Sequence, residues 1–289
     1  MKRTISLLVG LFLAVTSASA FAQMGGGPPA LVTDPAQAFM AGVITVKGEG
    51  AAPADRPLSP AQKAILAKRA AKVVALRELA EILNGVAIYG ETMVVDAAAQ
   101  SDTIKATVQG VVKGAQVVYE VYDPAAEMAA VYVSVPMKGP GGLLGQLMPR
   151  ILPTLPPPSA PVYTPAAPAA PAPPSAPNYD GLILDITKHR FKPALINRVL
   201  AENGDILYDP TKVAQEILIE RGAGEYTNDV GKAKALLGER GAKNPLVVEA
   251  VGVVKGTDVK VSGGDAGVIF SANQKTNFLE GAKVVFVLR

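Results

Sequence analysis

The sequence predicts an α+β protein of two small domains, each a sheet with one or two packed helices, joined by a Pro/Ala-rich linker. Three observations carry that expectation. Two stretches combine strand-like runs with an amphipathic helical pattern. Between them, 11 of the 24 prolines fall within residues 153–177. The length, 289 residues, is also more than one small core requires. The composition is that of a globular chain, 49% hydrophobic and 18% charged. Aromatics make up only 5% and Trp is absent, so the cores must be built largely from Ala and Val. Small side chains bury less area each, which implies modest stability per domain or reinforcement by partners.

The N-terminus reads as a signal peptide, residues 1–22. Lys2 and Arg3 form a positive start, and Ile5–Val15 is an apolar stretch too short to span a bilayer comfortably. Ala18-Ser19-Ala20 and Ala20-Phe21-Ala22 both fit a small-residue cleavage rule, and Ala22 is the favoured site. Cleavage would remove two of the positive charges behind the formal +3. Residues 23–41 follow as a flexible leader, because Gly25-Gly26-Gly27-Pro28-Pro29 cannot hold regular structure.

The first domain spans residues 42–138. Gly42–Gly48 reads as a strand ended by glycine. Ser59, Pro60 and Gln62 then form a capping box with proline at the first helical position. The helix runs to Asn84-Gly85, expected as a left-handed stop. Leu66, Ala70, Val73, Leu76, Ala80 and Leu83 step by threes and fours as one apolar stripe. That stripe suits packing on the domain's own sheet, with a helix–helix assembly face as the alternative. Val86–Val95 reads as a strand. Residues 102–113 fit a helix by spacing (Ile104, Val108, Val111, Val112) yet are rich in β-branched residues. Gln116–Tyr122 and Ala129–Val135 are strands about a turn at Asp123-Pro124. The expected order is β-α-β-(α)-β-β.

Residues 139–178 read as the linker. Over its proline-rich part, residues 153–177, this linker reaches roughly 75 Å as a polyproline-like spacer at about 3.1 Å per residue. Its start carries an apolar run, Leu143 to Leu152, suited to docking on a domain. The second domain, residues 179–289, opens with a strand at Leu182–Ile186. A hairpin turn at Asn203-Gly204 separates Arg198–Ala201 from Asp205–Tyr208. Helices are expected from Asp209-Pro210 to Glu220, from Asn228 or Asp229 to Gly241, and over 266–273. Strands are expected at 246–254, 258–261 and 283–288. The pentapeptide Gly-Val-Val-Lys-Gly occurs at 110–114 and again at 252–256, with flanks too different to signal a duplicated module.

The run Ala70-Ala71-Lys72-Val73-Val74-Ala75-Leu76-Arg77-Glu78-Leu79-Ala80-Glu81-Ile82-Leu83-Asn84-Gly85-Val86 resembles the helix-Gly-Val-strand core of a bacterial envelope family of lipoproteins of about twenty kilodaltons. That family includes flagellar basal-disc protein P, and the N-terminal domain of flagellar assembly protein T is similar. Gly110-Val111-Val112-Lys113-Gly114-Ala115, Val117-Val118, Tyr122 and Val131–Pro136 keep the family's closing pattern, so the resemblance covers about residues 42–137. It implies a periplasmic or outer-membrane-associated module that self-assembles or supports a larger envelope machine. The chain has no Cys, so the family's lipid anchor has no counterpart here.

Chemistry narrows the function classes further. Without Cys there is no disulfide, thiolate nucleophile or thiolate metal site. The single His, His189, sits between Lys188 and Arg190, where two cations disfavour a general base. No zinc-peptidase, nucleophile-elbow or phosphate-loop motif occurs. Gly139, Gly141, Gly142 and Gly145 echo a nucleotide loop but follow no βαβ pattern. We therefore expect no enzyme activity, no catalytic residue, no cofactor and no metal. Lysines and arginines do not cluster with aromatics, which argues against nucleic acid as a partner. The expected role is structural, in flagellar outer-ring or basal-disc assemblies or a related machine. The expected partners are a second copy of the chain, other envelope or flagellar proteins, and peptidoglycan or the outer membrane. The exposed edge Gly42–Gly48 is a candidate for strand pairing. The alternative is a periplasmic binding module for peptidoglycan, a small ligand or a secreted protein.

Overall fold

The fold comes from a computed structural model that describes residues 27–55, 57–158, 160–165 and 177–289. The expected signal peptide lies outside the described residues. The class is α+β as the sequence predicts, with the elements arranged in two halves.

The first half begins earlier than expected. Part of the leader is a helix, α1 (Pro35–Ala41), capped by Asp34, whose carboxylate accepts the N–H groups of Ala36 and Gln37. Proline at its first position suits helix initiation, and Ala38 and Phe39 bury themselves as anchors. Strand β1 (Val43–Ala51) follows, then α2 (Pro60–Asn84). The capping box is formed: Ser59 N–H donates to Gln62 Oε1 at 2.9 Å, and Gln62 N–H donates to Ser59 Oγ at 3.3 Å. Strands β2 (Ala87–Tyr89) and β3 (Thr92–Met93) make a small hairpin, and α3 (Val94–Gln100) and α4 (Asp102–Lys113) follow. Strands β4 (Gln116–Asp123) and β5 (Met128–Pro136) complete an antiparallel sheet of order β1-β5-β4.

The buried stripe of α2 is not the expected one. Ala67, Ala71, Ala75, Leu79 and Leu83 face the sheet, while Val73 is half exposed. The reason lies in β1. A Cβ at Gly48 would sit 2.2 Å from Ala71 O, and one at Gly50 would sit 2.3 Å from Ala71 N. The helix backbone therefore rests directly on a two-glycine saddle, and only alanines fit at that contact. Gly85 is right-handed (φ −81°), not the expected left-handed stop. A Cβ there would lie 3.1 Å from Pro35 Cγ, so α1 packs on the end of α2.

The expected strand Val86–Val95 is also cut short. Gly90 adopts φ +52° and reverses the chain, and Asp96 accepts the Met93 N–H at 2.8 Å to start α3. Residues 102–113 are helical, with Ile104, Val108 and Val111 buried. Burial of that face outweighs the β-branched composition.

The segment read as a linker from Gly139 is structured at its start. Helix α5 (Leu143–Ile151) buries Leu143, Leu144, Leu147, Met148 and Ile151. Gly142 and Gly145 fold tightly onto the backbone of 138–140, where a Cβ would approach carbonyl oxygens to 2.3 and 2.4 Å. Further on, Ile206 N–H donates to Pro161 O (2.8 Å) and Tyr163 N–H to Ile206 O (2.9 Å), tying 161–163 to the second half.

That half carries two four-stranded sheets. One is wholly parallel, built from β6 (Gly181–Asp185), β9 (Glu225–Thr227), β10 (Pro245–Glu249) and β13 (Val284–Val287) in the order β10-β6-β13-β9. The other joins β7 (Val199–Ala201), β8 (Ile206–Tyr208), β11 (Gly252–Val254) and β12 (Asp258–Val261) in the order β11-β12-β7-β8. Helices α6 (Gln215–Arg221), α7 (Val230–Glu239) and α8 (Gly263–Thr276) cover them. Two sequence expectations are corrected. The run 246–254 is two strands, because Ala250 N–H bonds Asp185 O while Val251 N–H turns to Lys260 O in the second sheet. The helix expected from Asp209 is a 3-10 turn at Pro210–Lys212, and α6 starts only after the extended residues Val213 and Ala214.

The parallel sheet is buried on both faces. Ile183, Val285 and Val287 face Ala233 and Leu237 of α7. Leu182, Leu184, Val284 and Phe286 face the other way, into a cluster that also contains Leu79, Leu83, Leu147 and Met148 of the first half. One apolar core therefore runs through both halves.

Candidate functional site

The residues singled out by their chemistry occupy structural positions. His189 donates from Nε2 to the Ala250 carbonyl at 3.0 Å. Close by, Asp185 accepts the Thr187 hydroxyl (2.6 Å) and its N–H (3.0 Å); these bonds hold its carboxyl below the usual range. Asp205 closes the hairpin turn with Asn203, and Asp209 caps the 3-10 turn through Thr211 N–H. Among the described residues no group of three or more His, Asp or Glu is placed to hold a metal. No described helix is long and apolar enough to cross a membrane.

Three features of another kind emerge. The first is the junction between the halves, built mainly from the loop 191–198. Leu195 and Ile196 N–H groups donate to Ala87 O and Ile88 O at 2.9 and 2.8 Å, so this loop adds a strand-like layer to the β2–β3 hairpin. Gly90 N–H donates to Thr257 Oγ1 at 2.7 Å. Asn197, fully buried, holds the loop's shape: its amide donates to Thr257 O (2.6 Å), and its Oδ1 accepts Ala194 N–H (2.9 Å). Tyr226 Oη lies 2.5 Å from Asn197 Oδ1 and 3.0 Å from Ala194 O. Burial pushes the Tyr226 hydroxyl far up, so it stays a neutral donor. The Tyr226 ring stacks on Phe286 (5.3 Å) and takes the edge of Phe39 from α1 (5.2 Å). At the far side Glu225 bridges Lys138 (2.5 Å) and Arg240 (2.7 Å), and Gly139 N–H donates to Ile219 O (2.8 Å).

A charged cluster lies within the second half. Arg198 Nε is 3.4 Å from Asp209 Oδ1, without hydrogen-bond geometry. Asp258 Oδ1 accepts Arg198 N–H at 3.1 Å, and burial raises the Asp258 carboxyl above its usual range.

The second feature is a strand edge. Sequence reasoning favoured β1, but Val32 N–H donates to Thr45 O at 2.8 Å and covers part of that edge. The open edge is β4, which has β5 on one side and, among the described residues, no further strand on the other. Val117 and Val121 on it are 40% and 45% exposed. A register irregularity between Val117 and Tyr119 bends its start.

The third is an open apolar groove of about 440 Å³ between α2, α3 and α4, walled by Val95, Ala98, Ala99, Val108 and Val112. Lys105 and Lys113 flank it. The sequence does not announce this groove, since the strand pattern runs to Val95 and no helix pattern marks residues 96–100 of α3. Nor does it announce the junction, because Asn197 and Tyr226 lie 29 residues apart and share no motif.

Compared with known proteins, residues 181–289 match the family described as Treponema pallidum Tp0624, second domain. The matched span begins at β6 and takes in the whole second half. No curated protein matches the chain.

Proposed function

We propose that this is a non-enzymatic structural and assembly protein of the bacterial cell envelope. In this reading it is exported by its N-terminal segment and works in the periplasm at the outer membrane. It self-associates through its first half and contacts other envelope proteins through the second. The resemblance of residues 42–137 to the envelope lipoprotein family makes a flagellar outer ring or basal disc the leading setting.

The observation that carries this reading is the open β4 edge, with two exposed valines on a strand of eight residues. Unpaired strand edges are templates for pairing with another chain unless blocked by charge, proline or a covering element. The shared core supports a further point. The halves act as one body, so a contact made by the second half transmits directly to an assembly built by the first.

Sedimentation of the exported chain over a range of concentrations tests the proposal. The parent should form a defined oligomer, and Val117→Lys with Val121→Lys should remain monomeric while keeping the same melting temperature. A parent that stays monomeric at high concentration and in gently extracted envelope fractions would rule the reading out.

A further inference from the structure

We infer that the groove between α2, α3 and α4 binds a single aliphatic chain carrying an anionic head. This is independent of how the protein assembles. The sequence builds the groove simply. Ala97-Ala98-Ala99 puts small residues on α3, which leaves α4 unable to close fully against it. Val95 is 45% exposed as a consequence. On α4, Lys105, Val108, Gln109, Val112 and Lys113 recur at the spacing of one helix face, so two cations bracket two valines. Eight residues at about 1.5 Å per residue place the lysines about 12 Å apart along the axis.

The volume selects the occupant. At about 440 Å³ it falls within the roughly 300–1,000 Å³ of small-molecule sites, which are mostly apolar with a few placed polar groups. One turn of a helix, about 10 Å across and about 5.4 Å long, would fill it, so an amphipathic helix could insert little more than a turn. A single alkyl chain fits lengthwise.

Charge selects the head group. No acidic residue lines the groove. Neither lysine ammonium has a hydrogen-bond or ion-pair partner among the described residues. On the neighbouring elements Asp96 is engaged by the Met93 N–H, and Glu78, Glu81 and Arg77 of α2 are not in the lining. An anion at either end of the chain would meet a lysine whose aliphatic stem continues the apolar wall.

Titration calorimetry of the full chain with dodecanoate, below its micelle concentration, tests this. Dodecanoate should bind at one site per chain, and dodecyltrimethylammonium at least tenfold more weakly. Shortening the chain to decanoate should weaken binding by up to about fourfold per methylene. Lys105→Glu with Lys113→Glu should cost at least tenfold for dodecanoate. Ala99→Phe, at an exposed position where folding is not at stake, should abolish binding by filling the groove. No binding to the parent, equal binding of both head groups, or unchanged binding to Ala99→Phe would each overturn the inference. A drop in oligomer mass caused by Ala99→Phe in a parent that ignores dodecanoate would assign the groove to a second copy instead.

Discussion

Adding one carbon at Gly48 tests how α2 is seated. The new Cβ would lie 2.2 Å from both Ala71 O and Ala75 N, and 2.9 Å from Ala75 Cα. All three are backbone atoms of a helix interior, so no rotamer change relieves the clash. To reach ordinary contact at 3.4 Å, β1 and α2 must separate locally by about 1.2 Å. That separation loosens the row Ala67, Ala71, Ala75, which has no longer side chains to refill the gap. Overpacking typically costs 1–3 kcal/mol, and with rigid neighbours the expected loss for Gly48→Ala is about 3 kcal/mol. For a chain of this size that lowers the melting temperature by roughly 6–12 °C. Gly110 on α4 is the internal control, since nothing lies within 4 Å of its added Cβ. Gly110→Ala should stabilise by about 0.5–1 kcal/mol through helix propensity. Urea unfolding followed by far-ultraviolet circular dichroism reads both variants. A Gly48→Ala protein as stable as its parent, or a Gly110→Ala protein equally damaged, would refute the saddle argument.

Other perturbations probe the junction and the charged cluster. Asn197→Ala strands the Ala194 N–H and the Thr257 carbonyl in a buried site and should cost about 3 kcal/mol in urea unfolding. Tyr226→Phe keeps the ring stack, loses the hydroxyl bonds and should cost about 1 kcal/mol, read in the same way. Ser59→Ala removes the capping box of α2 and should cost about 1 kcal/mol. Asp258 titrates with the opposite sign to a salt-bridged carboxylate. Its folded pKa is raised, so its contribution to stability is full below the unfolded value and is lost as pH rises through the folded one. Asp258→Asn should therefore match or exceed the parent at neutral pH and lose that stabilisation on the acid side. A marked loss at neutral pH would mean that attraction to Arg198 outweighs burial.

Local chemistry was read well wherever a few neighbouring residues decide the outcome. Ser59, Pro60 and Gln62 specify the start of α2, and Asn203-Gly204 specifies a hairpin in which Gly204 takes φ +95°. Asp229 starts α7 by accepting the Lys232 N–H one turn ahead, whereas α8 starts at Gly263 behind the Ser262 cap, three residues before the expected 266. Each of these signals lies within four residues of its partner. The candidate sites were not legible in that way. The groove depends on α3 following a reversal at Gly90, and Gly90 is pinned by Thr257 from the other half of the chain. The β4 edge became the open one only because Val32 returns to cover β1.

By itself, then, the sequence determined the α+β class, the two halves, the starts of α2 and α7 and the absence of thiol chemistry. Tertiary structure decided which faces are buried and how the halves relate. The twice-occurring Gly-Val-Val-Lys-Gly makes the physical reason plain. At 110–114 it ends α4, whose inner face is paid for by burying Val111, and Gly114 stays right-handed. At 252–256 the same five residues form β11 and a turn, with Lys255 and Gly256 at φ 50° and 74°, because β12 offers them a pairing edge. Likewise the proline-rich stretch promised separation by composition, yet the halves meet. Alternate residues of the parallel sheet present Leu182, Leu184 and Phe286 to the first half, and no local pattern records which neighbour will cover them.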